Sequence, residues 1–139
     1  MNNAPYEELK ISRFIFDENV QKDRLVTDIY KLKLTDQWRN KLQEMYGLDV
    51  FEYYGEMCAQ GSIVNRYKFS AVVWALLNGA GQVFSEDETV NLVETAVNHL
   101  GLDGLAMVVL SALTAALMPP EAYEAFKMTV LSYGNQVNL

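Results

Sequence analysis

The chain is short of the residues on which most enzyme centres depend. It has one cysteine, one histidine and three prolines in 139 residues. A lone cysteine, Cys58, cannot form an internal disulfide or a cysteine zinc cluster, and its presence alone points to a reducing, cytosolic compartment. Cys58 sits between Met57 and Ala59, with no basic neighbour in sequence to lower its pKa, so it reads as a buried small apolar group rather than a nucleophile. The single histidine, His99, cannot supply a multi-histidine metal site. It falls in the last turn of a predicted helix, where partial positive charge suits the dipole. Basic residues are also scarce, 11 against 18 acidic ones, for a formal net charge of -7. That balance disfavours nucleic acid and anionic membranes as partners, and it favours solubility and a basic protein partner.

Long apolar runs are missing too. The most apolar stretch, Leu105–Met118, is shorter than the roughly twenty residues that a membrane span needs, and it reads as a buried helix. Residues 1–10 carry Glu7 and Glu8 and lack an apolar segment, unlike a signal peptide. No motif supplies chemistry. Gly79-Ala80-Gly81 is not followed by the Gly-Lys-Ser/Thr of a phosphate loop, and Glu86, Asp87 and Glu88 lack the alternation and central glycine of a calcium loop. No cofactor is implied, and an enzyme is the least favoured class.

What the chain does have is a 50% hydrophobic composition, enough to bury a core in one domain covering residues 1–139. Residues 1–34 are mixed in pattern. Ile11–Phe16 is β-branched and aromatic, and Tyr30, Leu32 and Leu34 alternate with lysines. A short hairpin or strand pair is expected there, with the charged stretch Asp17–Arg24 between the strands. A helical turn over Asn19–Ile29 is the competing reading.

Residues 35–134 read as a bundle of about six helices, which makes the fold class mainly α. Thr35 caps the first and Gly47 stops it. Asp49 with Glu52 opens the second, which runs to Gly61 with Phe51, Tyr54 and Cys58 on one face. Tyr67–Leu77 is the third. Ser85 with Glu88 forms a capping box for a helix that stops at Gly101. A further helix covers Asp103–Met118, and the last runs from Pro120 to Tyr133 before Gly134. Residues 135–139 are expected to be a loose tail.

Two places look suited to a partner. The neighbours Tyr53 and Tyr54 differ by about 100° around a helix, so one of them is expected at the surface beside Met57. The apolar helix near Leu105–Met118 needs cover on every side, and its stripe Met107, Leu110, Thr114 and Met118 faces either the core or another chain, including a second copy.

The order of segments resembles the tail assembly chaperones of long-tailed bacteriophages and prophages of Gram-positive bacteria. The likeness runs from YKLKLT (Tyr30–Thr35) and YGLDVFEYY (Tyr46–Tyr54) through FSAVVWALLNGAGQ (Phe69–Gln82) and VFSEDETVNLVETAV (Val83–Val97) to the apolar helix ending at Leu117. Family members often carry a tight N-terminal hairpin, where this chain has the longer stretch Asp17–Arg24. The resemblance implies a protein of the bacterial host cytoplasm. It would bind the long helical tape-measure protein and keep it soluble until tail-tube subunits, a further candidate partner, polymerise around it. It also implies a longer frameshifted form that would diverge near Gly134–Leu139. It assigns no client-binding residues. The alternatives are an adaptor that stays in the phage particle and an acidic inhibitor or regulator of a basic host protein.

Overall fold

A computed structural model describes residues 5–60 and 65–137. The chain opens with an antiparallel hairpin, β1 (Glu7–Asp17) and β2 (Lys22–Leu32). Five helices follow: α1 (Asp36–Tyr46), α2 (Val50–Gln60), α3 (Arg66–Gly79), α4 (Glu86–Leu117) and α5 (Pro120–Val137). The fold is mainly helical with a two-stranded N-terminal sheet, as the sequence indicates.

The hairpin is longer and tighter than expected. Its register runs from Glu7 opposite Leu32 to Asp17 opposite Lys22. The charged stretch Asp17–Arg24 is the turn together with the strand ends beside it, and the helical alternative over Asn19–Ile29 does not form. The Asp17 carboxylate accepts the Asn19 N–H at 2.9 Å, and Gln21 takes a left-handed φ of 56° to complete the reversal. Near its base the hairpin alternates as a half-buried ribbon. Leu9, Ile11 and Leu32 face inward and are buried, with β1 against α4 and β2 against α3.

Local capping explains where the helices begin. The Thr35 hydroxyl accepts from Trp38 N, and the left-handed Gly47 (φ 61°) ends α1 by donating to Gln43 O at 2.9 Å. The Asp49 carboxylate accepts from Phe51 N and Glu52 N at the start of α2. Asn65 does the same for Tyr67 and Lys68 at the start of α3. The expected stop of α2 at Gly61 lies outside the described residues.

The central element is α3, in which every residue from Ala71 to Leu77 is buried. Trp74 anchors its outer turn. Trp38 and Tyr46 of α1 meet it edge-on at 5.1 and 6.0 Å between ring centres, and its indole N–H donates to Phe84 O at 3.1 Å. The α3–β2 approach is close. Lys33 N donates to Leu76 O at 3.0 Å, and a Cβ on Gly79 would collide with the Lys33 carbonyl oxygen.

The helices number five among the described residues, not about six. The expected stop at Gly101 and restart at Asp103 are instead a kink inside α4, where Gly101 alone leaves helical geometry (φ 79°, ψ 162°). By length and composition α4 would suffice to cross a membrane, with a mean hydropathy of 1.9 over its most apolar window. The straight segments on either side of Gly101 are each shorter than the roughly twenty residues of a span. One side of α4, including Leu92, Val93, Leu105, Val109 and Leu113, is buried in the core. At the other end of the chain, α5 does not stop at Gly134 but continues to Val137.

Candidate partner-binding surfaces

The far half of the hairpin outruns the helices that cover its base. Phe14, Phe16, Leu25 and Ile29 all project from its outer face, and Val20 stands at the tip. Phe14 and Leu25 lie directly opposite each other and are 73% and 57% exposed, so this is a paired apolar surface in open solvent. Apolar side chains exposed elsewhere, such as Val83, Met45 and Met128, are spread over separate elements. Single exposed hydrophobes are ordinary, but a contiguous group marks an interaction surface. Ser12 and Thr27 hydroxyls bond across the strands at 2.9 Å beside the apolar group. On the opposite face Arg13 pairs with Asp28 at 3.2 Å. The first 34 residues are balanced in charge, so the whole net charge of -7 rests on the helical part.

A second feature is a cleft of about 250 Å³ between the α1–α2 junction and the first turns of α3. Asp49, Glu52 and Glu56 line it together with Tyr46, Tyr53 and Lys68. The buried Tyr53 hydroxyl has no hydrogen-bond partner among the described residues. Burial, reinforced by the charge of Glu56, pushes its pKa well above the ordinary 10.0. Tyr46 is likewise raised by burial first and then by its hydrogen bond to Glu86. The cleft is anionic and aromatic, a lining that suits a cationic side chain.

The residues singled out from sequence fall differently. Tyr53 and Met57 are in the core, not at the surface. The buried stripe of α2 is Val50, Tyr53 and Met57, while Phe51 and Cys58 are exposed and Tyr54 is half-buried. Both stripes have the same i, i+3, i+7 spacing, so periodicity alone could not choose between them. The reading of Cys58 as a buried apolar group is corrected accordingly.

Tyr54 and Thr114 are brought together, but by each other. Their hydroxyls lie 2.7 Å apart and tie α2 to α4, and Thr114 is buried. Met107 and Leu110 are half-buried, and of that stripe only Met118 is exposed. The exposed hairpin residues were missed as a surface. Ile11–Phe16 was legible as a strand, but nothing in its composition told how far it would reach beyond the helices.

His99 is exposed, with Nδ1 2.9 Å from Thr95 O of its own helix, and it is not paired with Cys58. Among the described residues no group of three or more His, Cys, Asp or Glu side chains is arranged to hold a metal ion. No protein-family model, curated protein or solved structure matches the chain.

Proposed function

We propose that the chain is a phage tail assembly chaperone that binds the tape-measure protein and keeps it soluble in the host cytoplasm until the tail tube forms. The observation that carries this reading is the apolar outer face of the hairpin held on a strongly acidic helical body. A holdase needs open apolar surface for its client and enough charge of one sign to keep the complex dispersed. Phe14, Phe16, Leu25 and Ile29 supply the first, and the helical part supplies the second. On this reading the hairpin is the client face, and Met118 is the exposed member of the α4 stripe.

The direct test is co-expression with the tape-measure protein of the same phage, scoring its soluble yield and its co-purification. A soluble complex supports the chaperone reading, and an equally insoluble client removes it.

The acidic cleft supports a second reading, an inhibitor or regulator that captures a basic side chain of a host protein. Binding to such a protein would weaken steeply with added salt, because the attraction between cleft and cation is screened. Binding to an apolar client through the hairpin would not.

A further inference from the structure

We infer that the cleft at the α1–α2 junction is a binding site for the guanidinium of one arginine side chain on a protein partner. This deepens the second reading above, that the cleft captures a basic side chain of a host protein, and rests on it.

A buried group without a partner points to a ligand here. Tyr53 is 4% exposed, and its hydroxyl makes no hydrogen bond among the described residues. Such a group costs free energy that a ligand able to hydrogen-bond to it recovers. Tyr53 lines the cleft, and so does Glu56, three residues further along α2. Burial first, and then the charge of Glu56, raise the pKa of the hydroxyl, so the two groups share one corner of the cleft. Glu56 is half-buried and forms no ion pair among the described residues. It is free to turn with an incoming cation, which brings the hydroxyl within reach.

The charge of the lining is one-sided. Asp49 and Glu52 add two carboxylates, and Lys68 is the one cation among the lining residues. Asp49 Oδ1 is taken by the helix cap, where it accepts from Phe51 N and Glu52 N. Its Oδ2 and the Glu52 carboxylate are left open, and the ion pairs among the described residues lie elsewhere. These carboxylates do not converge as a metal site does. They suit a cation whose donors are spread out.

That requirement favours guanidinium over ammonium. A guanidinium carries five N–H donors in a planar fork, against three from one nitrogen in lysine. It is also the more weakly hydrated cation, and it lies flat on aromatic rings. Tyr67 offers such a ring in the cleft lining. It is 70% exposed, and Tyr46 holds it edge-on at 5.8 Å between ring centres. The volume, about 250 Å³, is below the roughly 300–1,000 Å³ of pockets for drug-sized ligands, a size for the end of one side chain.

The test is titration of the full chain with Nα-acetyl-arginine amide and with Nα-acetyl-lysine amide, followed by amide chemical shifts in NMR. The arginine probe should bind in the millimolar range, at least about fivefold tighter than the lysine probe, and shift Asp49, Glu52, Glu56 and Tyr67. Glu56→Gln should weaken it by about tenfold, through loss of a charge-assisted bond. Tyr53→Phe should weaken it by about fivefold, yet leave the ligand-free chain at least as resistant to urea, because the hydroxyl removed had no partner. Lys68→Gln should tighten binding by about twofold, since it removes the one like charge. Equal binding of the two probes would overturn the arginine assignment and leave the second reading standing. Unchanged binding in folded Glu56→Gln or Tyr53→Phe would overturn the site as described. No shift with either probe would remove both the site and the second reading.

Discussion

Both carboxylate oxygens of Glu7, at the start of β1, lie 3.0 Å from the Lys127 ammonium on α5. Tyr123, one turn earlier on α5, donates its hydroxyl to the same carboxylate. Glu7 is buried, and a buried carboxylate is tolerated only when its charge and lone pairs are met. The first strand and the last helix are thereby tied together across 120 residues of chain. Lys127→Met is expected to lower stability by about 1–2 kcal/mol, less than for a fully buried pair because the lysine reaches solvent. Tyr123→Phe should cost about 1 kcal/mol. Urea unfolding of the two variants checks both, and no change in midpoint would show that the tie is idle.

The close approach of α3 to the end of β2 gives a second expectation. Gly79 faces the Lys33 carbonyl so closely that any Cβ must push β2 away from α3. Helix propensity alone would make Gly79→Ala stabilising by up to about 1 kcal/mol. The collision is with backbone and cannot be relieved by a rotamer, so the variant should instead lose about 2–3 kcal/mol. Thermal melting gives the sign directly.

Four of the eight tyrosines, Tyr46, Tyr53, Tyr54 and Tyr123, have their pKa values pushed above the ordinary 10.0, in each case chiefly by burial. Folding therefore favours their neutral forms. That contribution to stability is complete below pH 10.0 and is lost as pH rises toward the raised values. Alkaline titration followed by tyrosinate absorbance should show Tyr46, Tyr53, Tyr54 and Tyr123 ionising only in a cooperative step that coincides with loss of helix. A single transition at the ordinary value would contradict the burial of these hydroxyls.

The capping box of α4 makes an acid-side prediction. Ser85 Oγ accepts from Glu88 N at 3.1 Å, and the Glu88 carboxylate accepts from Ser85 N at 2.9 Å. These hydrogen bonds, the backbone one first, hold the Glu88 pKa below 4.5. A depressed acid stabilises the fold above its ordinary pKa and stops doing so as pH falls through the lowered one. Ser85→Ala should cost about 1 kcal/mol at neutral pH. Protection of the first-turn amides of α4, measured against their intrinsic exchange rates, should fall at acid pH in the wild type, and Glu88→Gln should remove that pH step.

Much of the fold was legible because caps and breakers are local. Thr35, Gly47, Asp49, Ser85 and Pro120 mark helix ends through groups within a few residues of each other. The Asn65 cap works in the same way and was overlooked, since the apolar run drew the boundary to Tyr67. Gly101 was legible as a break in the helix but not as a kink within one continuous element. A glycine can end a helix or kink it, and only the packing of Leu105 and Val109 into the same core as Leu92 and Val93 decides. The hairpin was legible in type but not in extent. Lys22, Asp23 and Arg24 are exposed, so the alternation fades where the ribbon leaves the helices. The choice of face on α2 was not legible, because two stripes of equal period differ only in what α1 and α4 place against them.

The apolar hairpin face should be nearly silent in stability and loud in binding. Phe14→Ser and Leu25→Ser remove side chains that are mostly in solvent, so each should shift unfolding by no more than about 1 kcal/mol. By contrast, Leu113→Ala, in the core, should cost about 2–5 kcal/mol.

The measurement that bears most directly on function is the soluble yield of the tape-measure protein co-expressed with the wild-type chain and with the Phe14→Ser, Leu25→Ser double variant. The wild type should hold the client in a soluble complex, and the folded double variant should lose most of that yield. A client equally insoluble with the wild type would contradict the chaperone reading. A client equally soluble with both would contradict the hairpin as its binding face.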